Sequence, residues 1–174
     1  MTTDATATTG LAMNEQARAA ARPVPPWVVY VACWLLVGLY QGLNASIGES
    51  DVATWKPFVW EMSSVLIVML LVPLVFRFER RFPIDSRPRT RVVIVHVAGL
   101  LVFSAVHTTV MLLLRELAYA AMGESYEFGT VPVRYFYELQ KDVILYAVIL
   151  TVCFAMREFR VRRASELRAW RSTP

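Results

Sequence analysis

The sequence predicts an all-α polytopic membrane protein, a four-transmembrane-helix bundle. Two observations indicate this class: four long apolar blocks, and clusters of arginine between them. Of the 174 residues, 56% are hydrophobic, above the roughly 45–50% of a typical soluble domain. Because about 20 apolar residues suffice to cross roughly 30 Å of hydrocarbon, we expect a lipid bilayer to be the solvent of this chain.

The predicted domain organisation has three parts. Residues 1–25 form a disordered cytoplasmic tail rich in Ala and Thr, which ends in a proline-rich stretch. Residues 26–160 form the transmembrane domain, with spans at about 27–43, 57–78, 92–117 and 133–159. Residues 161–174 form a cytoplasmic helical extension. Because 143–170 contains no Pro or Gly, we expect the fourth helix to continue unbroken to about Trp170.

The distribution of basic residues predicts the orientation. Of the 18 Lys and Arg residues, 14 precede the first block, lie between the second and third, or follow the fourth. The other four, Lys56, Arg115, Arg134 and Lys141, lie in or beside the remaining loops. Since Lys and Arg are enriched in cytoplasmic loops, we expect both termini in the cytoplasm and the loops near 44–56 and 118–132 outside. This clustering favours membrane topology over a nucleic-acid-binding surface.

Ionisable side chains inside the apolar blocks are candidate functional residues. On insertion scales such groups cost about 2.5–3.5 kcal/mol at the bilayer centre. Ionisable residues that are retained there are therefore candidates for a function. At a helical rise of about 1.5 Å per residue, Glu61, His107 and Asp142 lie about 6–10 Å below the outer surface. We therefore expect these three groups, on three helices, to meet in the interior at one level.

The fourth helix carries a polar stripe. Glu138, Asp142 and Tyr146 recur every four residues, a spacing that places them on one face, which we expect to point into the bundle. Lys141 lies beside this stripe and is spaced to pair with Glu138. The six candidates for sensing a ligand or a proton are Glu61, His107, Glu138, Lys141, Asp142 and Tyr146.

Three interpretations of this polar level stay open. The polar residues form interhelical hydrogen bonds and ion pairs that hold the bundle together, or they line a pocket that senses a ligand, proton or cation, or they form a site of catalysis or metal chemistry. We expect no catalytic residues, because no HExxH motif and no serine or cysteine nucleophile beside a base is recognisable. We expect no metal or cofactor either, because Cys33 and Cys153 lack a CxxC partner. His96 and His107 lie about 16 Å apart on one helix, so they cannot ligate the two faces of one haem.

Several short motifs follow one another in order along the chain. They are Glu61-Met-Ser-Ser64, Pro73, Arg80-Arg-Phe-Pro83, His96, Phe103-Ser-Ala-Val-His107, Leu114-Arg115, Tyr126-Glu-Phe-Gly129, and Tyr137-Glu-Leu-Gln-Lys-Asp142 with Tyr146. As a set they resemble the amino-terminal four-helix membrane module of bacterial LytTR-type transcription regulators. They are also similar to the membrane part of LytS-like sensor histidine kinases. The resemblance covers roughly 27–165.

The resemblance implies a sensory or anchoring module of a bacterial signal-transduction or transcription-regulation system. It would lie in the bacterial cytoplasmic (inner) membrane, with the lipid bilayer and a cytoplasmic output protein or domain as partners. No DNA-binding β-domain and no kinase region is recognisable in the sequence, so we expect no direct nucleic-acid contact and no kinase activity. The alternative is a small transporter or channel subunit, although the inner halves of the second and fourth helices lack a polar path. The stimulus, and homodimerisation through the fourth helix, stay open.

Overall fold

A computed structural model describes residues 24–48, 52–127 and 129–171, apart from the side chains of residues 169 and 171. All regular structure in these ranges is helical. The helices are α1 (Pro26–Gly48), α2 (Trp55–Arg81), α3 (Arg89–Ala121) and α4 (Val131–Arg171). Each is long and apolar enough to cross a membrane, so this part of the chain has the helices of a multi-pass membrane protein. The tail predicted for 1–25 and the last three residues lie outside the described residues, except for 24–25.

Each predicted span lies inside one of these helices, and each helix is longer than the span. The extra turns carry polar residues, such as Arg80 and Arg81 in the last turn of α2, where basic side chains suit the negative end of the helix dipole. The helix α4 is one element of 41 residues, about 61 Å long. It runs past the predicted apolar span and ends at Arg171.

The described chain divides into two compact units, one up to Cys33 and one from Trp34 onward. In the second unit, the later half of α1 packs against α2 through two glycines. Gly38 and Gly42 are the buried residues of α1. A Cβ at Gly38 would lie 2.6 Å from Sδ of Met62, and one at Gly42 would lie 2.7 Å from the ring of Phe58. Small residues spaced by four therefore allow close approach of the two helices, as they do between many membrane helices.

The helices α2, α3 and α4 share an apolar core. Its buried members are Val68, Val72, Val75, Phe103, Tyr146, Ile149 and Cys153. The opposite faces of the same helices carry large exposed apolar side chains, including Leu70 at 67%, Val102 at 64% and Ile144 at 69% exposed. Outward faces this apolar are suited to lipid tails rather than to water.

A partly buried ion pair joins α4 to α2 at the end of the bundle where α2 connects to α3. Nη1 of Arg157 lies 3.1 Å from Oε1 of Glu79, and Nη2 lies 2.9 Å from Oδ1 of Asp85. Glu79 is only 4% exposed, and a buried carboxylate is costly without a cation beside it. Arg157 therefore holds α4 against α2, in addition to the topological role that the sequence predicts for it.

Candidate functional site

A chain of hydrogen bonds joins α2, α3 and α4 in the half of the unit towards the α3–α4 connection. The hydroxyl of Ser64 lies 3.0 Å from Nε2 of His107, and Nδ1 of His107 lies 2.9 Å from Oδ1 of Asp142. His107 is 2% exposed and Asp142 1%, whereas Ser64 is half-buried. One helix thus contributes a hydroxyl, the second an imidazole and the third a carboxylate.

The direction of these hydrogen bonds depends on where the protons lie. When Asp142 is ionised and His107 neutral, Nδ1–H of the imidazole donates to the carboxylate, and Nε2 accepts from the hydroxyl of Ser64. A protonated imidazole donates from both nitrogens, which reverses the bond to Ser64. A single proton therefore changes the bonding between α2 and α3.

Two further oxygen atoms in this region are buried without a hydrogen-bond partner among the described residues. They are Oδ2 of Asp142 and Oγ1 of Thr108, and Thr108 is fully buried. Buried polar atoms normally have a partner. Both oxygen atoms can therefore accept a hydrogen bond from a donor such as a water molecule.

The structure brings together two of the three residues that the depth count places at one level. His107 and Asp142 are in direct contact, whereas the half-buried Glu61 pairs with no other described residue. The helix α2 contributes Ser64 instead, three residues further along. At about 1.5 Å per residue Ser64 lies about 10 Å below the predicted surface, level with Asp142. The depth count from the sequence covers only ionisable groups and therefore omits it.

The polar stripe of α4 faces the interior, as its spacing predicts. Glu138 is 0%, Asp142 1% and Tyr146 4% exposed. Oε2 of Glu138 lies 2.8 Å from Nζ of Lys141, and Oε1 lies 3.2 Å from Nη2 of Arg134. The buried carboxylate of Glu138 is thus balanced by two cations of its own helix, and the Lys141 side chain remains 54% exposed.

Tyr146 continues this stripe towards the other end of the bundle. Its hydroxyl lies 3.4 Å from Nδ1 of His96, and Nε2 of His96 lies 2.9 Å from the carbonyl oxygen of Phe82. Because a carbonyl oxygen can only accept, Nε2 carries a hydrogen. In the neutral imidazole Nδ1 is then the acceptor, and the Tyr146 hydroxyl donates to it.

Arg115 is a buried cation whose role the sequence does not predict. It is 4% exposed. It donates to Oγ of Ser63 at 3.0 Å, to the hydroxyl of Tyr126 at 3.0 Å and to the carbonyl oxygen of Trp60 at 2.7 Å. Within the described residues it pairs with no carboxylate. Arg115 therefore links α3 to α2 and to the α3–α4 connection through neutral partners.

Comparison with known proteins and the possible metal-binding groups of the described residues bear on this site. The described part of the chain contains no group of three or more His, Cys, Asp or Glu residues that could hold a metal ion. No model of a known protein family matches the chain. No curated protein and no solved structure matches it either. The resemblance to LytTR-type and LytS-like membrane modules stays a prediction that rests on the quoted motifs.

Proposed function

We propose that this chain is a membrane-embedded sensory module of a bacterial signal-transduction system, and that Ser64, His107 and Asp142 form its receiving level. It lies in the bacterial inner membrane with both termini in the cytoplasm. One observation supports the proposal above the others. The unbroken helix α4 carries Asp142 in a buried polar cluster and Arg157 in a partly buried one, and continues to Arg171. A continuous helix transmits a displacement at one level to the other, as helix shifts do in known switching proteins.

The receiving level can change its bonding without first losing a contact. Oδ2 of Asp142 and Oγ1 of Thr108 have no partner in the described chain, so a proton or a small hydrogen-bonding ligand gains bonds there. Since His107 links Asp142 to Ser64, a change at the carboxylate alters the contact between α3 and α2. The signal is therefore a change of protonation or the arrival of a small polar ligand.

Distances between spin labels test this coupling. Labels at Arg77 of α2 and Arg168 of α4, both exposed, report on the position of the α4 extension in a chain whose two native cysteines are replaced by alanine. In lipid nanodiscs, Asp142→Asn should shift the distance between the labels by about 1–2 Å or add a second population. The control is Glu116→Gln, which neutralises an exposed carboxylate on α3 and should leave the distance unchanged. Identical distance distributions for Asp142→Asn and the unsubstituted chain would show that Asp142 is not coupled to the α4 extension.

The same residues favour a second candidate function, an intramembrane hydrolase. The order of hydroxyl, imidazole and carboxylate, with contacts of 3.0 and 2.9 Å, is that of a Ser-His-Asp nucleophile. Against it, Ser64 lies inside α2, where helical hydrogen bonds use the backbone N–H groups that an oxyanion would need. A fluorophosphonate probe distinguishes the two functions. Labelling that Ser64→Ala abolishes and Ser63→Ala retains would establish the hydrolase, and an unlabelled chain would exclude it.

A further inference from the structure

A groove lies between α2 and α3 on the surface of the bundle. It has a volume of about 570 Å³ and is lined almost entirely by apolar side chains, among them Leu74, Phe78, Ala98 and Val106. Gly99 brings the groove close to α4, since a Cβ there would lie 2.8 Å from the hydroxyl of Tyr146. The α3 wall runs from Val95 to Val106, a rise of about 16 Å. This is about half of the roughly 30 Å hydrocarbon thickness, the depth of one lipid leaflet.

A second, basic pocket adjoins the groove at the α2–α3 connection. It has a volume of about 270 Å³ and shares two wall residues, Phe82 and Val95, with the groove. Three exposed arginines line it, Arg81, Arg87 and Arg91, and no acidic side chain does. None of the three forms an ion pair within the described chain. The pocket therefore has positive charge available for an anionic partner.

We infer that the groove and the basic pocket together bind one anionic phospholipid. Its phosphate contacts the arginines, whose guanidinium groups suit phosphate oxygens, and one acyl chain fills the apolar groove. Basic pockets at the ends of membrane helices recognise anionic headgroups in this way. An anionic headgroup is preferred over a zwitterionic one, because the pocket lining has no carboxylate to pair with a headgroup amine. If these arginines served only to set the topology of the chain, an adjoining groove as deep as one leaflet would not be needed.

Photocrosslinking of the full chain in nanodiscs tests this site. The nanodiscs consist of phosphatidylcholine with a trace of phosphatidylglycerol that carries a diazirine on one acyl chain, and mass spectrometry locates the crosslinks. We expect crosslinks at groove residues such as Val102 and Val106. Unlabelled phosphatidylglycerol should compete, whereas further phosphatidylcholine of the same chain length should not. Equal competition by the two lipids would overturn the inference without any substitution in the protein.

Charge and groove variants separate this site from general attraction to a basic surface. The double substitution of Arg87 and Arg91 to Gln should lower crosslinking in the groove at least tenfold, since one arginine near an anionic surface contributes about fivefold. The charge-matched control substitutes the exposed Arg162 and Arg163 of α4 to Gln and should leave crosslinking unchanged. Equal losses in the two double variants would show a diffuse charge effect and overturn the proposed site.

A bulky residue in the groove provides the final test. Ala98→Phe should displace the crosslinks from the groove, because Ala98 lines it. Leu101→Phe is the control, on the same helix, 52% exposed and outside the groove lining. Circular dichroism should show equal helix content in both variants. Retention of groove crosslinks in Ala98→Phe would place the acyl chain elsewhere and overturn the inference.

Discussion

The imidazole of His107 is the central link between α2, α3 and α4, so its removal leaves both neighbours without their bond. In His107→Ala, Oδ1 of Asp142 loses its hydrogen bond, while Oδ2 has none among the described residues. Removing one partner of a buried charge pair costs about 3–5 kcal/mol in soluble proteins. Hydrogen bonds between membrane helices average only about 0.6 kcal/mol, with a maximum of about 1.7. Because the contact is buried and also joins two membrane helices, we expect an intermediate loss of about 2 kcal/mol.

A double-mutant cycle isolates the contact between His107 and Asp142 from other effects of truncation. With each residue replaced by alanine, singly and together, we expect a coupling energy of about 1.5 kcal/mol, near the upper end for membrane helices. The control pair is Thr109 and Tyr135, whose hydroxyls lie 2.7 Å apart between the same two helices at an exposed position. The cycle of Thr109→Ala with Tyr135→Phe should give about 0.5 kcal/mol.

Reversible unfolding in mixed micelles, followed by circular dichroism, measures the free energies for both cycles. Both pairs join α3 to α4, but the interior pair is buried and joins an imidazole to a carboxylate, whereas the exposed pair joins two hydroxyls. A coupling energy for His107 and Asp142 no larger than that of the exposed pair would refute this reasoning. That result would show that losing the interior contact costs no more free energy of unfolding than losing the exposed one.

Three further predictions concern other parts of the chain. In intact cells a cysteine at Ser125 should react with a membrane-impermeant maleimide, and one at Ser86 only after lysis; the reverse pattern would contradict the predicted orientation. Gly42→Leu should destabilise the chain by about 1–3 kcal/mol in the unfolding assay through overpacking, whereas Gly48→Leu, with open space around its Cβ position, should have almost no effect. Arg157→Gln should cost about 1–2 kcal/mol at low and at high salt, because the partly buried pair with Glu79 is little screened; a loss that disappears at high salt would show that the pair is exposed to solvent.

Local patterns in the sequence predict the helices and the inward face of α4. The four spans follow from the length of each apolar block, and the continuity of α4 from the absence of Pro and Gly after Asp142. The spacing of Glu138, Asp142 and Tyr146 places them on one face, and the cost of exposing ionisable groups to lipid predicts that this face is buried, as it is. Each of these properties depends on residues within a few turns of one another, and such properties are visible in a single sequence.

The partners of the buried polar groups could not be predicted, because they depend on how each helix is rotated and on residues far apart in the chain. Arg157 and Glu79 pair across 78 residues, and hydropathy does not encode that contact. Arg115 is buried with neutral partners, so no opposite charge in the sequence marks its environment. Ser64 could be found from its depth only by including uncharged polar residues, which many positions in a membrane helix tolerate.

The spacing of the buried groups along α4 gives the proposed sensory module a specific motion. Asp142 and Arg157 are separated by about 22 Å of helix, and Arg157 and Trp170 by about 20 Å. Because Arg157 binds both Glu79 and Asp85, it is the natural pivot of α4. A sideways movement at Asp142 then produces a movement of nearly equal size and opposite direction at Trp170. Sliding of α4 along its axis would instead break the contacts of Arg157. Labels on α4 should therefore show opposite displacements on the two sides of Arg157, and displacements of the same sign along the helix axis would exclude the pivot.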